Sequence, residues 1–131
     1  LITAADISLK EAVTRVRTLG GLAIPAHVDR KAFSLIANLG LIPTDVPIET
    51  LEISKNITVA EARQKFSQLR ELPLLQTGDA HYLNDILGVN HFKMAAPTIA
   101  EIRQALLGEN NRSLQIIPKS VVTTSIKPQI P

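Results

Sequence analysis

The sequence has no cysteine and no tryptophan, and one tyrosine and three phenylalanines are its only aromatic residues. Without cysteine there is neither a disulfide framework nor a thiolate metal site, so histidine and carboxylate side chains remain as candidate metal ligands. The few aromatic residues, and the scattered lysines and arginines that leave a net charge of only +2, argue against a nucleic-acid-binding surface.

Long apolar stretches are also absent. Every hydrophobic run is far shorter than the roughly 18 to 20 residues that a membrane-spanning helix needs, and no segment resembles a signal peptide. We therefore expect a soluble, cytoplasmic protein without membrane contact. The first residue is Leu1 rather than methionine, so we expect the chain to begin inside a longer protein.

Four helices are predicted from capping and stop signals. Three have the residue pair of an N-terminal capping box in front of apolar residues at helical spacing: Ser8 and Glu11, Thr58 and Glu61, and Thr98 and Glu101. A less clearly marked helix is predicted over residues 31–39, with Gly40 as its stop.

Short apolar runs lie between these helices, at residues 22–26, 50–53, 74–76 and 92–95. Strands that alternate with helices are typical of βα units with a parallel sheet, so we predict an α/β fold. Pro25 has no N–H to donate to a sheet and is expected at a strand end or edge, which makes the boundary of the first strand the weakest of the four.

Polar side chains follow three of these strands, and in parallel α/β folds such loops share the face where active sites are built. His27, Asp29 and Arg30 follow the first strand, Ser54, Lys55 and Asn56 the second, and Asp79 and His81 the third. In an extended Asp-x-His pair both side chains project to the same side, so Asp79 and His81 could reach one ion, with His27 as the third ligand.

Ordinary readings compete with this metal site. His27 could be a hydrogen-bonded core or rim residue, Asp79 could form a turn with Gly78, and Arg30 and Lys55 could be solvated surface charges. Two further residues are assigned structural roles: Glu52 is expected to face away from one hydrophobic layer, and His91 has no polar partner at metal-ligand spacing.

Three stretches resemble the PHP family (polymerase and histidinol phosphatase domains) in motif, order and spacing: LAIPAHVDR from residue 22, LEISKN from residue 51 and TGDAHYL from residue 77. The resemblance implies a distorted, TIM-like βα barrel with divalent metals at its C-terminal face. We therefore expect residues 1–112 to form the C-terminal half of a PHP-type α/β barrel, and residues 113–131 to be a C-terminal tail.

The resemblance also implies roles for individual residues. His27, Asp79 and His81 match metal ligands of the family, for zinc, manganese or iron, and Asp79 would also serve catalysis by orienting the nucleophile. Arg30 and Lys55, by position, would bind the phosphate of the substrate.

One departure from the family is an absence. Its members open with a His-x-His pair and further ligands, whereas this sequence has no histidine before His27. The chain would then bind metal weakly or not at all and would need the missing N-terminal half as its partner. Half a barrel also leaves strand edges and apolar helix faces uncovered, so we expect a homo-oligomer or a tail that folds back.

Three functions remain open at this point. The first is a fragment of a metal-dependent phosphoesterase, a hydrolase acting on a small phosphorylated metabolite or nucleotide and incomplete on its own. The second is a non-catalytic binding or regulatory module on a PHP-like scaffold. The third, a polymerase-associated proofreading domain, is disfavoured because no nucleic-acid surface is evident in the sequence.

Overall fold

The computed structural model describes residues 5–69 and 71–118. In chain order the elements are helix α1 (Leu9–Thr18), helix α2 (Leu35–Leu39), strand β1 (Leu51–Ser54), helix α3 (Val59–Lys65), a 3₁₀ turn (Ser67–Leu69), strand β2 (Leu74–Thr77), a second 3₁₀ turn (Leu83–Asp85), strand β3 (Asn90–Lys93), helix α4 (Ile99–Leu107) and strand β4 (Ser113–Ile116). The fold is therefore of the mixed α/β class.

Strands β1 and β2 form a parallel pair, with Leu51 opposite Leu74 and Ser54 opposite Thr77. Helix α3 connects them, which makes β1–α3–β2 a βαβ unit, as the alternating pattern predicted. Leu51 and Ile53 are completely buried, because successive residues of a strand face opposite sides and these two share the core face. Both strands end at the loops that carry the predicted site residues.

The predicted strand at residues 22–26 is not a regular strand, although this segment does lie alongside β1. Glu52 donates its N–H to the carbonyl of Pro25 (3.0 Å) and accepts from the N–H of Val28 (2.8 Å). A regular parallel ladder would place one residue between these two partners, whereas here Ala26 and His27 both lie between them. The interruption is thus a bulge of one extra residue, and Pro25 fits because only its carbonyl is used.

Strands β3 and β4 are antiparallel and form a separate two-stranded sheet. The expectation that the fourth apolar run would extend a parallel sheet is therefore wrong. The reason lies in β4, since the partner of β3 is Ser113–Ile116, which belongs to the segment predicted to be a tail. This part of the predicted tail forms a strand, whereas residues 119–131 lie outside the described residues.

The helix starts agree with the predicted caps. Ser8, Thr58 and Thr98 each accept a hydrogen bond from the backbone N–H three residues later, and at Thr58 the Glu61 side chain completes the capping box. The fourth predicted helix is shorter than expected: α2 begins after Ser34, which caps it, and ends at Gly40 in the left-handed conformation. A buried serine cap thus moves the start from residue 31 to residue 35.

One hydrophobic core joins α1, the 22–28 segment, β1, α3 and β2; its buried members include Val13, Val28, Leu51, Ile53, Ala62, Leu69 and Leu74. The second sheet is tied to it by polar contacts. The Asn90 side chain exchanges two hydrogen bonds with the backbone of Gln76, and Arg103 of α4 pairs with Glu49 (3.0 Å). None of the helices in the described part of the chain has the length and apolar character needed to cross a bilayer.

Candidate functional site

His27 occupies the bulge beside β1 and is held there by Glu52. Its backbone has a φ of +32°, which is uncommon for a residue with a side chain. The backbone N–H of His27 donates to Glu52 Oε1 (3.3 Å), and its ring Nδ1 lies 3.4 Å from the same oxygen. Both side chains are largely buried, at 16% and 17% exposure. The bulge therefore fixes the position of one predicted ligand.

The ring of His27 contains an unusual polar atom. Within residues 5–69 and 71–118, Nδ1 is the one buried side-chain nitrogen or oxygen without a hydrogen-bond partner, since its approach to Glu52 lacks hydrogen-bond geometry. Buried polar atoms are nearly always satisfied, and the polar atom that faces this nitrogen is Glu52 Oε1, at 3.4 Å.

Asp79 and His81 lie on the loop that follows β2. Asp79 Oδ1 is 3.9 Å from His81 Nε2, and Asp79 Oδ2 accepts a hydrogen bond of 2.8 Å from the Arg30 guanidinium. Asp79 and Arg30 are each 37% exposed, whereas His81 is 78% exposed. The Arg30–Asp79 ion pair joins the loop that carries His27 to the loop that carries His81, so the two polar loops do share one rim.

The charges at this rim act on the Asp79 carboxyl group. The hydrogen bond from Arg30 is the main reason why the pKa of Asp79 lies below its ordinary value; desolvation opposes this, while the charges of Arg30, His27 and His81 lower the pKa further. Asp79 is therefore an anion at neutral pH. His27 lies three residues before Arg30, whose ion pair reaches the Asp79 loop, so both histidines lie at one end of the parallel pair.

Asp29 and Ser54 link the loop of residues 27–30 to the end of β1. The Asp29 carboxylate accepts from both the backbone N–H and the hydroxyl of Ser54, each at 2.6 Å. Ser54 is buried at 2% exposure and also accepts from the N–H of Asn56. Residues 27–30 are thus attached to the end of β1. This contact between Asp29 and Ser54 was not predicted from the sequence.

Lys55 is exposed on the loop after β1. It lines a cleft of about 480 Å³ together with Asn56, Thr58 and Gln76, and none of His27, Asp79 and His81 lines that cleft. Its predicted role in phosphate binding stays a prediction, as does that of Arg30, which in this structure donates to Asp79.

The donors at the rim suit a divalent cation in kind but not in number. An imidazole nitrogen and a carboxylate are ordinary ligands for zinc or manganese. In the described part of the chain, however, no group of three or more His, Asp or Glu side chains is placed to hold one ion. The ligand set His27, Asp79 and His81 thus stays a prediction, and further donors would have to come from elsewhere.

Two of the few aromatic side chains lie on these same loops. Phe33 is 89% exposed and Tyr82 is 80% exposed, and Phe33 also has a φ of +56°. Leu83, next to Tyr82, is 86% exposed. Exposed apolar side chains that form a contiguous patch often mark a binding surface, whereas single ones are ordinary. His91, by contrast, is exposed on β3 in the other sheet, and its assignment as structural stays a prediction.

Comparisons with known proteins give one informative match. No protein-family model matches the sequence, and no curated protein matches it. Among solved structures, the chain is similar to the lesion-specific endonuclease PfuEndoQ from Pyrococcus furiosus, with a TM-score of 0.67 and 25% sequence identity over 80% of this chain. The match spans 28% of the PfuEndoQ chain. The chain is thus similar in fold to one part of a larger endonuclease.

Proposed function

We propose that this chain is the C-terminal part of a PHP-type metal-dependent phosphoesterase and supplies His27, Asp79 and His81 to a metal site that other residues complete. The observation that supports this best is the Arg30–Asp79 ion pair, which joins the loop that carries His27 to the loop that carries His81. In this proposal the chain forms the C-terminal half of a TIM-like barrel.

A divalent metal in such a site would polarise a phosphate ester and lower the pKa of a bound water towards neutrality. The part played by this chain is to hold and orient donors. Asp79 is anionic at neutral pH, with a pKa that the hydrogen bond from Arg30 lowers below its ordinary value, and the bulge holds the His27 ring against Glu52. Arg30 also places a guanidinium at the rim, where it would neutralise phosphate charge.

In this proposal the metal site is incomplete in the chain alone, because the rim supplies only three of its ligands. Removing even the hydrogen-bond partners of metal ligands typically costs about 10- to 100-fold in affinity or activity, so a site without several of its ligands should bind metal weakly. The similarity to PfuEndoQ over 28% of that chain is consistent with a site completed by residues beyond this segment.

The first test is metal binding by the chain itself. Manganese, which broadens nearby NMR signals, is titrated into the ¹⁵N-labelled chain, and we expect selective broadening of amides in the loops that carry His27 and His81. Asp79→Ala and His81→Ala should abolish it, while the matched control His91→Ala should leave it unchanged. Broadening that is uniform, or that survives Asp79→Ala, would place the metal elsewhere.

The second test is activity. The chain is assayed against a generic phosphate ester with manganese or zinc, alone and joined to the N-terminal half of a PHP domain. We expect activity only in the joined protein, and its loss in Asp79→Ala. Strong activity of the chain alone, unaffected by Asp79→Ala, would show that the chemistry has been assigned to the wrong residues. Metal binding without activity in any joined form would favour a non-catalytic binding module.

A nucleic-acid phosphodiester is the second candidate substrate, and the exposed Phe33 and Tyr82 favour it. A ring that stacks on one base contributes about 1–3 kcal/mol, and such a site needs only one or two aromatic residues. The low aromatic content of the sequence therefore excludes a broad stacking surface but not a local one. In the joined protein, Phe33→Ala and Tyr82→Ala should weaken turnover of an oligonucleotide and leave turnover of a small phosphate ester unchanged.

A further inference from the structure

Glu52 contacts the candidate metal ligand His27 in two ways. Its Oε1 accepts from the backbone N–H of His27 (3.3 Å) and lies 3.4 Å from ring Nδ1. The neighbours Leu51 and Ile53 are completely buried in the core, so strand alternation directs Glu52 to the opposite face of β1, where His27 lies. The backbone of Glu52 also bonds both ends of the bulge, at Pro25 and Val28.

The protonation of the His27 ring follows from this contact. An ionised carboxylate can only accept hydrogen bonds, and a nitrogen lone pair that faces it in a buried site would be repelled. Nδ1 must therefore carry the proton when the ring is neutral. A small rotation of the ring then converts the 3.4 Å approach into a hydrogen bond and satisfies the atom that otherwise has no partner.

From this we infer that Glu52 is a positioning residue: it fixes His27 as the Nδ1–H tautomer, so that Nε2 keeps the lone pair with which the ring binds a divalent cation. A carboxylate behind a histidine is a recurrent arrangement at metal sites, where it sets the tautomer and raises the basicity of the ligand. The His27 tautomer is a property of the free chain, and its relevance to metal binding rests on the proposed function.

The experiment is a long-range ¹H–¹⁵N NMR spectrum of the chain with ¹⁵N-labelled histidine, at a pH of about 8, well above the ordinary histidine pKa of about 6.5. We expect the Nδ1–H pattern for His27 in the unsubstituted chain, which decides the question without any variant. Finding the Nε2–H pattern there would overturn the inference.

Variants then separate positioning from mere support of the fold. Glu52→Ala should shift His27 towards the Nε2–H tautomer, whereas Glu52→Gln, whose amide oxygen can still accept from Nδ1, should retain the Nδ1–H tautomer. Glu109→Ala, at an exposed glutamate, is the matched control and should change nothing. If His27 keeps its tautomer in a folded Glu52→Ala chain, Glu52 supports only the backbone and the inference fails.

A zinc titration monitored at the same ring nitrogens distinguishes this inference from the proposed function. We expect zinc to shift the Nε2 signal of His27, and Glu52→Ala to weaken this binding by about 10- to 100-fold. An Nδ1–H tautomer that does not respond to zinc would support the positioning role while contradicting the proposed metal site. A zinc response through Nδ1 would overturn the positioning role while leaving a metal site in place.

Discussion

Replacing Asp29 by alanine should destabilise the chain substantially, because this carboxylate attaches the 27–30 loop to the end of β1. Asp29 accepts two hydrogen bonds from Ser54, both of 2.6 Å, and Ser54 is 2% exposed. Hydrogen bonds to charged groups are worth about 1.5–3 kcal/mol each. Asp29 is half-buried, so water would restore part of the loss, and we expect Asp29→Ala to cost about 2–4 kcal/mol.

Urea unfolding followed by circular dichroism at 25 °C and pH 7 measures this cost. Asp29→Asn keeps one acceptor oxygen and should lose about half as much as Asp29→Ala. The matched control is Asp45→Ala, which removes an exposed ion pair with Lys10 and should leave the urea midpoint unchanged, because such pairs contribute little. All variants should keep the same dependence on urea concentration.

The reasoning would be refuted if Asp29→Ala unfolded at the same urea concentration as Asp45→Ala. That result would mean that water replaces both hydrogen bonds of Ser54 at no cost. A large loss accompanied by a changed urea dependence would instead indicate that the variant alters the compactness of the unfolded or folded state, and the hydrogen-bond argument would not account for it.

Three further predictions follow from local geometry. A Cβ on Gly78 would collide with the carbonyl oxygen of Asp85, so Gly78→Ala should shift the NMR amide signals of the following loop and lower the stability of the chain. The loss should exceed that of the control Gly88→Ala. At Gly88 the space is open, and only the positive φ is strained, at about 1 kcal/mol. Arg30→Ala should raise the pKa of Asp79 from its lowered position towards 3.8, measured by a ¹³C titration of the carboxyl group. A carboxyl group whose pKa is lower in the folded state than in the unfolded state stabilises the fold at a pH above its unfolded pKa, and this stability is lost as the pH falls through the folded pKa. Arg30→Ala should therefore lower the stability of the chain at neutral pH but not in strong acid. Thr58→Ala should cost about 1 kcal/mol in urea unfolding through loss of the helix cap, and Thr58→Ser should restore most of it.

The helices and the parallel pair could be predicted because their signals are local. The residues Ser8, Thr58 and Thr98 mark helix starts through hydrogen bonds within one turn, and the βα alternation depends on short apolar runs. The antiparallel β3–β4 pair could not be predicted in this way. Its register depends on contacts between strands some 20 residues apart, and Ser113–Ile116 show no marked alternation of burial.

In the candidate site, too, the features with a local sequence signal could be predicted and those that depend on distant contacts could not. The positions of His27, Asp79 and His81 after strands indicated a shared rim, and the Arg30–Asp79 ion pair is consistent with it. The roles of Glu52 and Asp29 were not predicted, since each contacts a residue 25 positions away in the sequence. One available signal was Glu52 itself, an acidic residue between two core residues.

The single extra residue in the segment beside β1 has a consequence for how the chain tolerates insertion and deletion. If Ala26 were deleted, Pro25 and Val28 would be spaced for a regular parallel ladder with Glu52, and the backbone pairing would improve. His27 would then leave the left-handed conformation and turn to another side of the strand. A length change that makes the sheet more regular would therefore move His27, the proposed metal ligand, away from the rim. The length of this segment should accordingly tolerate change less well than its individual side chains do.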